Sequence, residues 1–223
     1  MIAMILAAGR GERLKPVTDN LPKALVEVAG VSLLERHLRM LSDAGVSTVV
    51  INLGRHGEQI VERIGSGSEF GVQVVYSPEY EQVLETGGGI QRALPLLGPQ
   101  PFWVVNADVF TDFRVPAAAL DSGNLAHLVL APTPAYKADD DFALIKGKVR
   151  NSGEPSYTFS GIACYAPAFF AAAVAGRFPL APMLRLAADN GQLAGSLYEG
   201  VWEDVGTAER LRAVNEKYSK SAS

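Results

Sequence analysis

The feature that most constrains the fold is a regular alternation of short apolar runs with amphipathic segments over residues 1–110. The apolar runs predict strands at residues 2–7, 48–53, 72–76 and 102–105. The amphipathic segments predict helices at Ser32–Ala44, with Ser32 as N-cap and Gly45 as the stop, at 58–64, and at 88–94 ending before Pro95. Strands that alternate with helices in this way favour parallel pairing, with helices on both faces of the sheet.

From about residue 125 the pattern becomes less regular. Further strands are predicted at residues 126–131, 142–145, 157–165 and 193–197, and further helices at 166–174, 182–189 and 207–218. No repeat and no long linker divides the chain. The sequence therefore predicts one α/β domain over residues 1–223, a Rossmann-like fold whose mixed, mainly parallel central sheet is flanked by helices.

Composition narrows the class of protein. The chain has 223 residues, of which 48% are hydrophobic and 20% charged, as in ordinary globular domains. A net charge of −4 argues against a nucleic-acid binder, and no apolar run is long enough for a transmembrane helix. The single cysteine, Cys164, cannot form an internal disulfide and suits a reducing compartment. We expect a cytoplasmic protein without nucleic-acid or membrane partners, and a monomer.

A glycine-rich turn follows the first predicted strand. Gly9 and Gly11 allow backbone N–H groups to approach a polyphosphate, and residues 1–25 carry four basic but two acidic side chains. Leu14 stands where a dinucleotide fingerprint requires a third glycine, and no Gly-Lys-Ser/Thr sequence closes a P-loop. An anionic ligand is favoured, although the two glycines alone are also compatible with a plain turn carrying solvated charges.

Two more segments carry residues suited to ligand binding. In Glu85-Thr86-Gly87-Gly88-Gly89 the glycines would permit close approach of a base or ribose, and Thr86 could cap a helix; the alternative is a flexible loop. Asp108 follows directly on the strand at 102–105, where open α/β sheets bind ligands, and its carboxylate is a suitable Mg²⁺ ligand. Asp204 is a second possible Mg²⁺ ligand, and Thr207 is a candidate N-cap for the final helix. Taken alone, an aspartate at either position is more often a turn or loop carboxylate than a metal ligand.

The wider pattern around the glycine-rich turn resembles a known signature. Leu6-x-Ala8-Gly9-x-Gly11-x-Arg13-Leu14-x-Pro16, followed by Pro22-Lys23-Ala24-Leu25, is similar to the signature of the sugar-1-phosphate nucleotidyltransferases. Glu12 departs from it, since the family usually has Thr or Ser there. Trp202-Glu203-Asp204-Val205-Gly206-Thr207 resembles the family's C-terminal string, so the likeness spans nearly the whole chain.

The resemblance implies roles for particular residues. Catalysis would rest on Arg13, Lys23, Asp108 and Asp204, with both aspartates on Mg²⁺. The implied nucleotide contacts are Leu6, Ala8, Gly9, Gly11, Gln82, Thr86 and Gly87. The implied substrate contacts are Asn106, Glu154, Ser160 and Gly161. The nucleotide-binding half would cover about residues 1–110, and the sugar-binding half about 111–218.

The resemblance also implies a reaction. UTP and a sugar 1-phosphate would give a UDP-sugar and pyrophosphate. The chain length and the runs at 84–89 and 159–163 are most similar to compact family members that use N-acetylmuramic acid α-1-phosphate in cell-wall sugar recycling. Alternatives are mannose 1-phosphate with GTP, glucose 1-phosphate with dTTP or UTP, phosphocholine cytidylyl transfer, and a sensor that binds nucleotide-sugars without turnover. The family often has Glu-Lys-Pro where Gly153-Glu154-Pro155 stands, so the sugar contacts are atypical.

Overall fold

The structure is a computed structural model that describes residues 1–80, 82–117 and 120–219. The strands in these ranges are β1 (Ile2–Leu6), β2 (Glu27–Val28), β3 (Val31–Ser32), β4 (Thr48–Leu53), β5 (Gln73–Pro78), β6 (Phe102–Asn106), β7 (Val109–Thr111), β8 (Ala126–Ala131), β9 (Phe142–Ile145), β10 (Lys148–Arg150), β11 (Ser156–Tyr165), β12 (Leu193–Leu197) and β13 (Trp202–Asp204). The α-helices are α1 (Leu33–Asp43), α2 (Gly57–Ile64), α3 (Glu85–Leu97), α4 (Ala181–Asp189) and α5 (Ala208–Tyr218).

Nine of the described strands form one mixed sheet, in the order β5-β4-β1-β6-β11-β8-β12-β10-β9. The strands β5, β4, β1 and β6 are all parallel, as the alternation in the sequence predicts. The strand β11 is antiparallel to β6 and β8, and parallel pairing returns between β8 and β12. The predicted mixed α/β sheet is therefore confirmed, with its continuous parallel part confined to the first half of the chain.

The core lies on both faces of this sheet. Neighbouring residues of β1 point to opposite sides: Ile5 packs in a cluster with Leu38 of α1, whereas Met4 packs in another with Ile90 of α3. Each of these side chains is fully buried. Because side chains alternate between the two faces along a strand, each face of the sheet packs against a helix, as predicted. A short ribbon of β7 and β13 stands apart from the main sheet.

Two predicted helix ends are confirmed in detail. Ser32 caps α1, because its Oγ accepts from the backbone N–H of Glu35 at 3.2 Å and the Glu35 carboxylate accepts from Ser32 N–H at 3.2 Å. Such a reciprocal pair satisfies two donors that a helix start otherwise leaves free. Thr207 caps α5 in a similar way, accepting from Arg210 N–H at 3.2 Å.

Two predicted helices were wrong in their extent. The helix predicted at 88–94 is α3, which begins at Glu85 and continues through Pro95 to the buried Leu97. Pro95 removes one N–H in the last turn, where that loss is small beside the burial of Leu97. Thr86 lies inside the first turn of α3 and does not cap it.

The helix predicted at 166–174 is a single 3₁₀ turn, Pro167–Phe170. Phe169 and Phe170 of this turn are both buried in the core beside Tyr165. The tertiary packing of these aromatic rings overrides the helix propensity of the alanines that follow. Among the described helices, none combines the length and the apolar character needed to span a membrane.

Candidate active site

A cavity of about 820 Å³ lies at the carboxyl ends of β1, β4 and β6, the edge where open α/β sheets bind ligands. The predicted site residues that line it are Leu6, Ala8, Gly9, Gly11, Arg13, Lys23, Gln82, Thr86, Asn106 and Asp108. The structure thus gathers residues from four separate stretches of the first half of the chain. Arg177 and Gly206 complete the lining from the second half.

The side chain of Thr18 stabilises the glycine-rich turn. Gly11 has a left-handed backbone with φ of +65°, and its carbonyl accepts from Thr18 Oγ1 at 2.6 Å. A Cβ on Gly11 would lie 2.9 Å from Thr18 Cγ2, so both the conformation and the close contact require glycine. Leu14 is fully buried beneath the turn, while Arg13 is exposed at the cavity. The turn therefore presents backbone and positive charge on the same side.

Lys23 and Asp108 form an ion pair on the cavity wall, in which Lys23 Nζ donates to Asp108 Oδ2. Their side chains are only 14% and 27% exposed, so the pair is little screened by solvent. Behind it lies His37 of α1, which is 2% exposed. Burial lowers the pKa of His37 to about 4, and the negative charge of Asp108 opposes this effect only in part. His37 is therefore neutral near pH 7.

Asp108 and Asp204 are brought together by the ribbon of β7 and β13. Asp204 pairs with Val109, and Val205 N–H donates to the Asp108 carbonyl at 2.9 Å. One carboxylate oxygen of Asp204 accepts from Arg210, whereas its Oδ1 is buried and has no hydrogen-bond partner among the described residues. Asp204 does not line the cavity itself but lies behind its wall.

Gly206 forms the part of the wall that separates Asp204 from the cavity. A Cβ on Gly206 would lie 2.6 Å from Asp204 Oδ1 and 3.3 Å from Arg13 Nη2. Because glycine leaves this space open, the second aspartate and the arginine of the glycine-rich turn approach the same point. The bond between Val205 and Asp108, together with the close approach of Asp204 and Arg13 at Gly206, places both aspartates near the turn after β1.

The donor set at this cluster fits Mg²⁺. No group of three or more His, Cys, Asp or Glu side chains in the described ranges could hold a metal without other ligands. Mg²⁺ in phosphate-transfer sites is bound by one or two carboxylates together with substrate phosphates and water. Two neighbouring aspartates, one with a buried unpaired oxygen, match such a site when phosphate oxygens complete it.

The glycines at the start of α3 serve a different purpose from the predicted base contact. A Cβ on Gly87 would lie 2.4 Å from the ring of Phe178, and one on Gly88 would lie 2.1 Å from the Gly176 carbonyl. The backbones also pair, since Gly88 N–H donates to the Phe178 carbonyl at 3.1 Å. Gly87 is therefore packed against residues 176–178 and does not line the cavity, in contrast to Thr86.

Three predicted sugar contacts do not line the cavity. Ser160 is 1% exposed, and its hydroxyl donates to the Val129 carbonyl at 2.7 Å, so the side chain stabilises the bulge between β11 and β8. A Cβ on Gly161 would lie 2.6 Å from Asn106 Nδ2, so this glycine leaves room for a side chain that does line the cavity. Glu154 is exposed in the turn before β11, with its carboxylate 3.5 Å from Ser156 Oγ.

Some lining residues had no motif to reveal them. Arg177 lies on an irregular segment and pairs with Glu85 at 2.7 Å. Asn52 and Glu79 are 3% and 2% exposed and are bonded to each other. A polar residue near the end of an otherwise apolar strand, such as Asn52, is the sequence signal that could have identified this pair.

The sequence of this chain is similar to those of known proteins. Residues 2–145 match the family model described as nucleotidyl transferase. The N-acetylmuramate alpha-1-phosphate uridylyltransferase of Neisseria meningitidis is 46% identical over 95% of this chain and 96% of its own. The protein of the same description from Caulobacter vibrioides is 34% identical over 99% of this chain and 98% of its own.

Solved structures of low sequence identity share the fold. One described as a glucose-1-phosphate thymidylyltransferase from Bacillus anthracis has a TM-score of 0.83 at 20% identity, covering 98% of this chain and 96% of that one. A UDP-glucose pyrophosphorylase has a TM-score of 0.75 at 16% identity, covering 99% and 98%. The family model matches more than half of the chain, and a relative is 46% identical to it over nearly its full length. This chain therefore belongs to the nucleotidyl transferase family.

Proposed function

We propose that the protein transfers a uridylyl group from UTP to N-acetylmuramic acid α-1-phosphate, releasing pyrophosphate. The observation that carries the proposal is the 46% identity with the Neisseria meningitidis uridylyltransferase across nearly the full length of both chains. The second relative bears the same description. The cavity supports the chemistry, because its lining combines the glycine-rich turn with the basic side chains of Arg13 and Lys23 and the carboxylate of Asp108.

The reaction is an in-line displacement at phosphorus. An oxygen of the sugar phosphate forms a bond to the α-phosphorus of UTP while the bond to the β-phosphate oxygen breaks, and pyrophosphate takes the electron pair. No covalent enzyme intermediate is needed, so the protein acts by alignment and charge neutralisation. The turn at Gly9 and Gly11 would bind the triphosphate through backbone N–H groups, and Arg13 would neutralise the departing pyrophosphate.

Lys23 would steer the attacking phosphate, because it is held on the cavity wall beside Asp108. Asp108 and Asp204 would hold Mg²⁺, which when bound would supply positive charge to offset that of the phosphate groups. Lys23 pairs with Asp108, and Arg210 pairs with Asp204. Each basic side chain thus compensates the negative charge of one aspartate next to a cavity that would bind anions. Thr86 and Gln82 also line the cavity, where they would contact the base.

The proposal includes the biological setting. Transfer to this sugar phosphate would belong to peptidoglycan recycling in the cytoplasm, where UTP is available and Cys164 stays reduced. The proposal takes a monomer as the functional unit.

The test is pyrophosphate release from a panel of triphosphates and sugar phosphates. UTP with N-acetylmuramic acid α-1-phosphate should give the highest kcat/KM, and a chelator of Mg²⁺ should abolish turnover. Faster reaction of GTP with mannose 1-phosphate, or of dTTP with glucose 1-phosphate, would overturn the substrate assignment. Binding of UTP without any magnesium-dependent release would identify a sensor instead of an enzyme.

A further inference from the structure

Two buried polar side chains connect opposite walls of the cavity. Asn52 Oδ1 accepts from the backbone N–H groups of Ala7 at 2.6 Å and Ala8 at 3.3 Å. Asn52 Nδ2 donates to Glu79 Oε1 at 2.8 Å. Glu79 Oε2 in turn accepts from Leu84 N–H at 2.9 Å. These four hydrogen bonds form a continuous series, which we name the Asn52–Glu79 relay.

The relay joins the two segments that face the nucleotide. Ala7 and Ala8 begin the glycine-rich turn, whereas Leu84 is the residue from which α3 starts, immediately before Glu85 and Thr86. Both side chains of the relay are almost completely buried, so water does not compete for their hydrogen bonds. The relay therefore fixes the turn and the start of α3 at a set separation.

The order of donors and acceptors in the relay is dictated by its ends. Ala7, Ala8 and Leu84 all present N–H donors, so both terminal groups of the relay must be acceptors. The link between the two side chains then requires one donor and one acceptor. An amide at one position and a carboxylate at the other satisfy this requirement, whereas two amides or two carboxylates leave a buried group unpaired.

The local backbone is shaped to admit the relay. A Cβ on Gly89 would lie 2.7 Å from Glu79 Oε1 and 3.0 Å from Asn52 Nδ2. Gly89 in α3 therefore makes room for the contact between the two side chains. A side chain at Gly89, the third glycine of the run, would therefore disrupt the relay.

We propose that Asn52 and Glu79 are positioning residues for the nucleotide. The relay sets the separation between the phosphate-binding turn and the base-side start of α3, so that one nucleoside triphosphate contacts both at once. The inference rests on the proposed function and deepens it. Neither side chain transfers a proton or touches the reacting phosphorus; both act through the backbone groups that they hold.

The relay can be broken from either side and then restored. Asn52→Asp places two carboxylates against each other, and Glu79→Gln leaves two donors, Asn52 Nδ2 and Leu84 N–H, competing for one amide oxygen. In the double variant, the carboxylate at 52 accepts from Ala7, Ala8 and the amide at 79, whose oxygen accepts from Leu84. Every hydrogen bond is regained with the polarity of the central link reversed.

The experiment measures UTP affinity by calorimetry, together with kcat, both KM values and the melting temperature. Each single variant should raise the Kd and KM for UTP by about tenfold or more, the scale of one unpaired buried group. The KM for the sugar 1-phosphate should change less than about threefold. The double variant should return the UTP values to within about threefold of wild type.

Asn151→Asp is the matched control. Asn151 also donates to a carboxylate, that of Asp189 at 2.7 Å, but it lies outside the cavity. This variant should leave the KM for UTP unchanged even if the melting temperature falls. It separates the effect of a new carboxylate pair on stability from an effect on nucleotide binding.

The outcomes decide the proposal. A folded double variant that binds UTP no better than the worse single variant overturns the relay. Single variants with a lowered melting temperature but wild-type Kd and KM for UTP overturn it as well. If the single variants do not fold, a folded double variant with wild-type affinity supports the relay, and an unfolded one overturns it. Failure of the wild type to release pyrophosphate would instead overturn the proposed function, while UTP binding would still test the relay.

Discussion

The two halves of the chain contribute unequally to the cavity. Every described lining residue except Arg177 and Gly206 comes from residues 6–108, although the second half is of similar length. The first half contains four adjacent parallel strands, whereas the second half is largely antiparallel. Parallel strands all end at the same edge of a sheet, so the segments that follow them converge.

The comparison shows why motifs in the two halves have different predictive value. Asp108 lies two residues after the end of β6, and Lys23 lies in the connection that follows β1. Ser160 belongs to β11, which runs the other way, and its side chain is buried in the core. Glu154 lies in the turn before β11, and its side chain is exposed to solvent. A motif therefore locates the cavity best where the strand direction already points to it.

The largest effect is expected from removing the charge of Lys23. Lys23→Met should lower the rate of pyrophosphate release by about 10²–10³-fold, the scale of one lost electrostatic contact to the transition state. Lys15→Met is the control, because Lys15 does not line the cavity, is 50% exposed and pairs only at 3.6 Å with Asp19. An equal loss in both variants would show that general positive charge, not the cavity, matters.

A loss of about 10²-fold is expected from Asp204→Asn, since the variant retains the shape but weakens a metal ligand. The Mg²⁺ concentration for half-maximal rate should rise as well, and titration of Mg²⁺ measures it. Asp43→Asn, at the exposed end of α1, serves as control. An unchanged Mg²⁺ requirement would exclude Asp204 from the metal site and leave the second half with little part in the chemistry.

The histidines of the two halves should differ in their effect on stability. Burial lowers the pKa of His37 to about 4, from a value near 6.5 in the unfolded chain. Between these values the unfolded chain binds a proton that the folded chain does not. The free energy of unfolding should therefore fall as pH drops from 6.5 toward 4, by up to roughly 3 kcal/mol.

Urea unfolding at several pH values measures this slope. His37→Gln should remove most of it. His127→Gln should remove less, because His127 of the second half is incompletely buried and bonds to Ser196 Oγ at 2.9 Å. Equal slopes in wild type and His37→Gln would contradict the assignment.

The smallest effect is expected at Glu154. Its carboxylate is exposed and outside the cavity, so Glu154→Gln should change kcat and the KM for the sugar phosphate by less than about threefold. Steady-state kinetics with the sugar phosphate varied provides the measurement. A change of the size expected for Lys23→Met would mean that this turn closes over the substrate, and the contrast between the halves would no longer hold.

Much of the fold was predictable because long apolar runs leave few alternatives. The strands β8, β9 and β12 have the predicted ends, and the caps at Ser32 and Thr207 are confirmed. The two- and three-residue strands were missed because they are too short to show a period.

The site was predictable where chemistry and local sequence coincide, as in the turn around Gly9. The Asn52–Glu79 relay was not, because its importance depends on a contact between residues 27 positions apart. The same holds for Arg177, which reaches the cavity only because residues 176–178 pack against the glycines of α3. Such contacts arise from tertiary packing, and the periodicity of the sequence does not reveal them.

The pairing of β7 with β13 places the second aspartate outside the sheet that supports the glycine-rich turn. All nine strands of the main sheet precede residue 202, and Gly206 is the one described lining residue that follows the ribbon. A change that weakens the pairing of residues 202–204 with 109–111 should therefore lower turnover more than it lowers UTP binding.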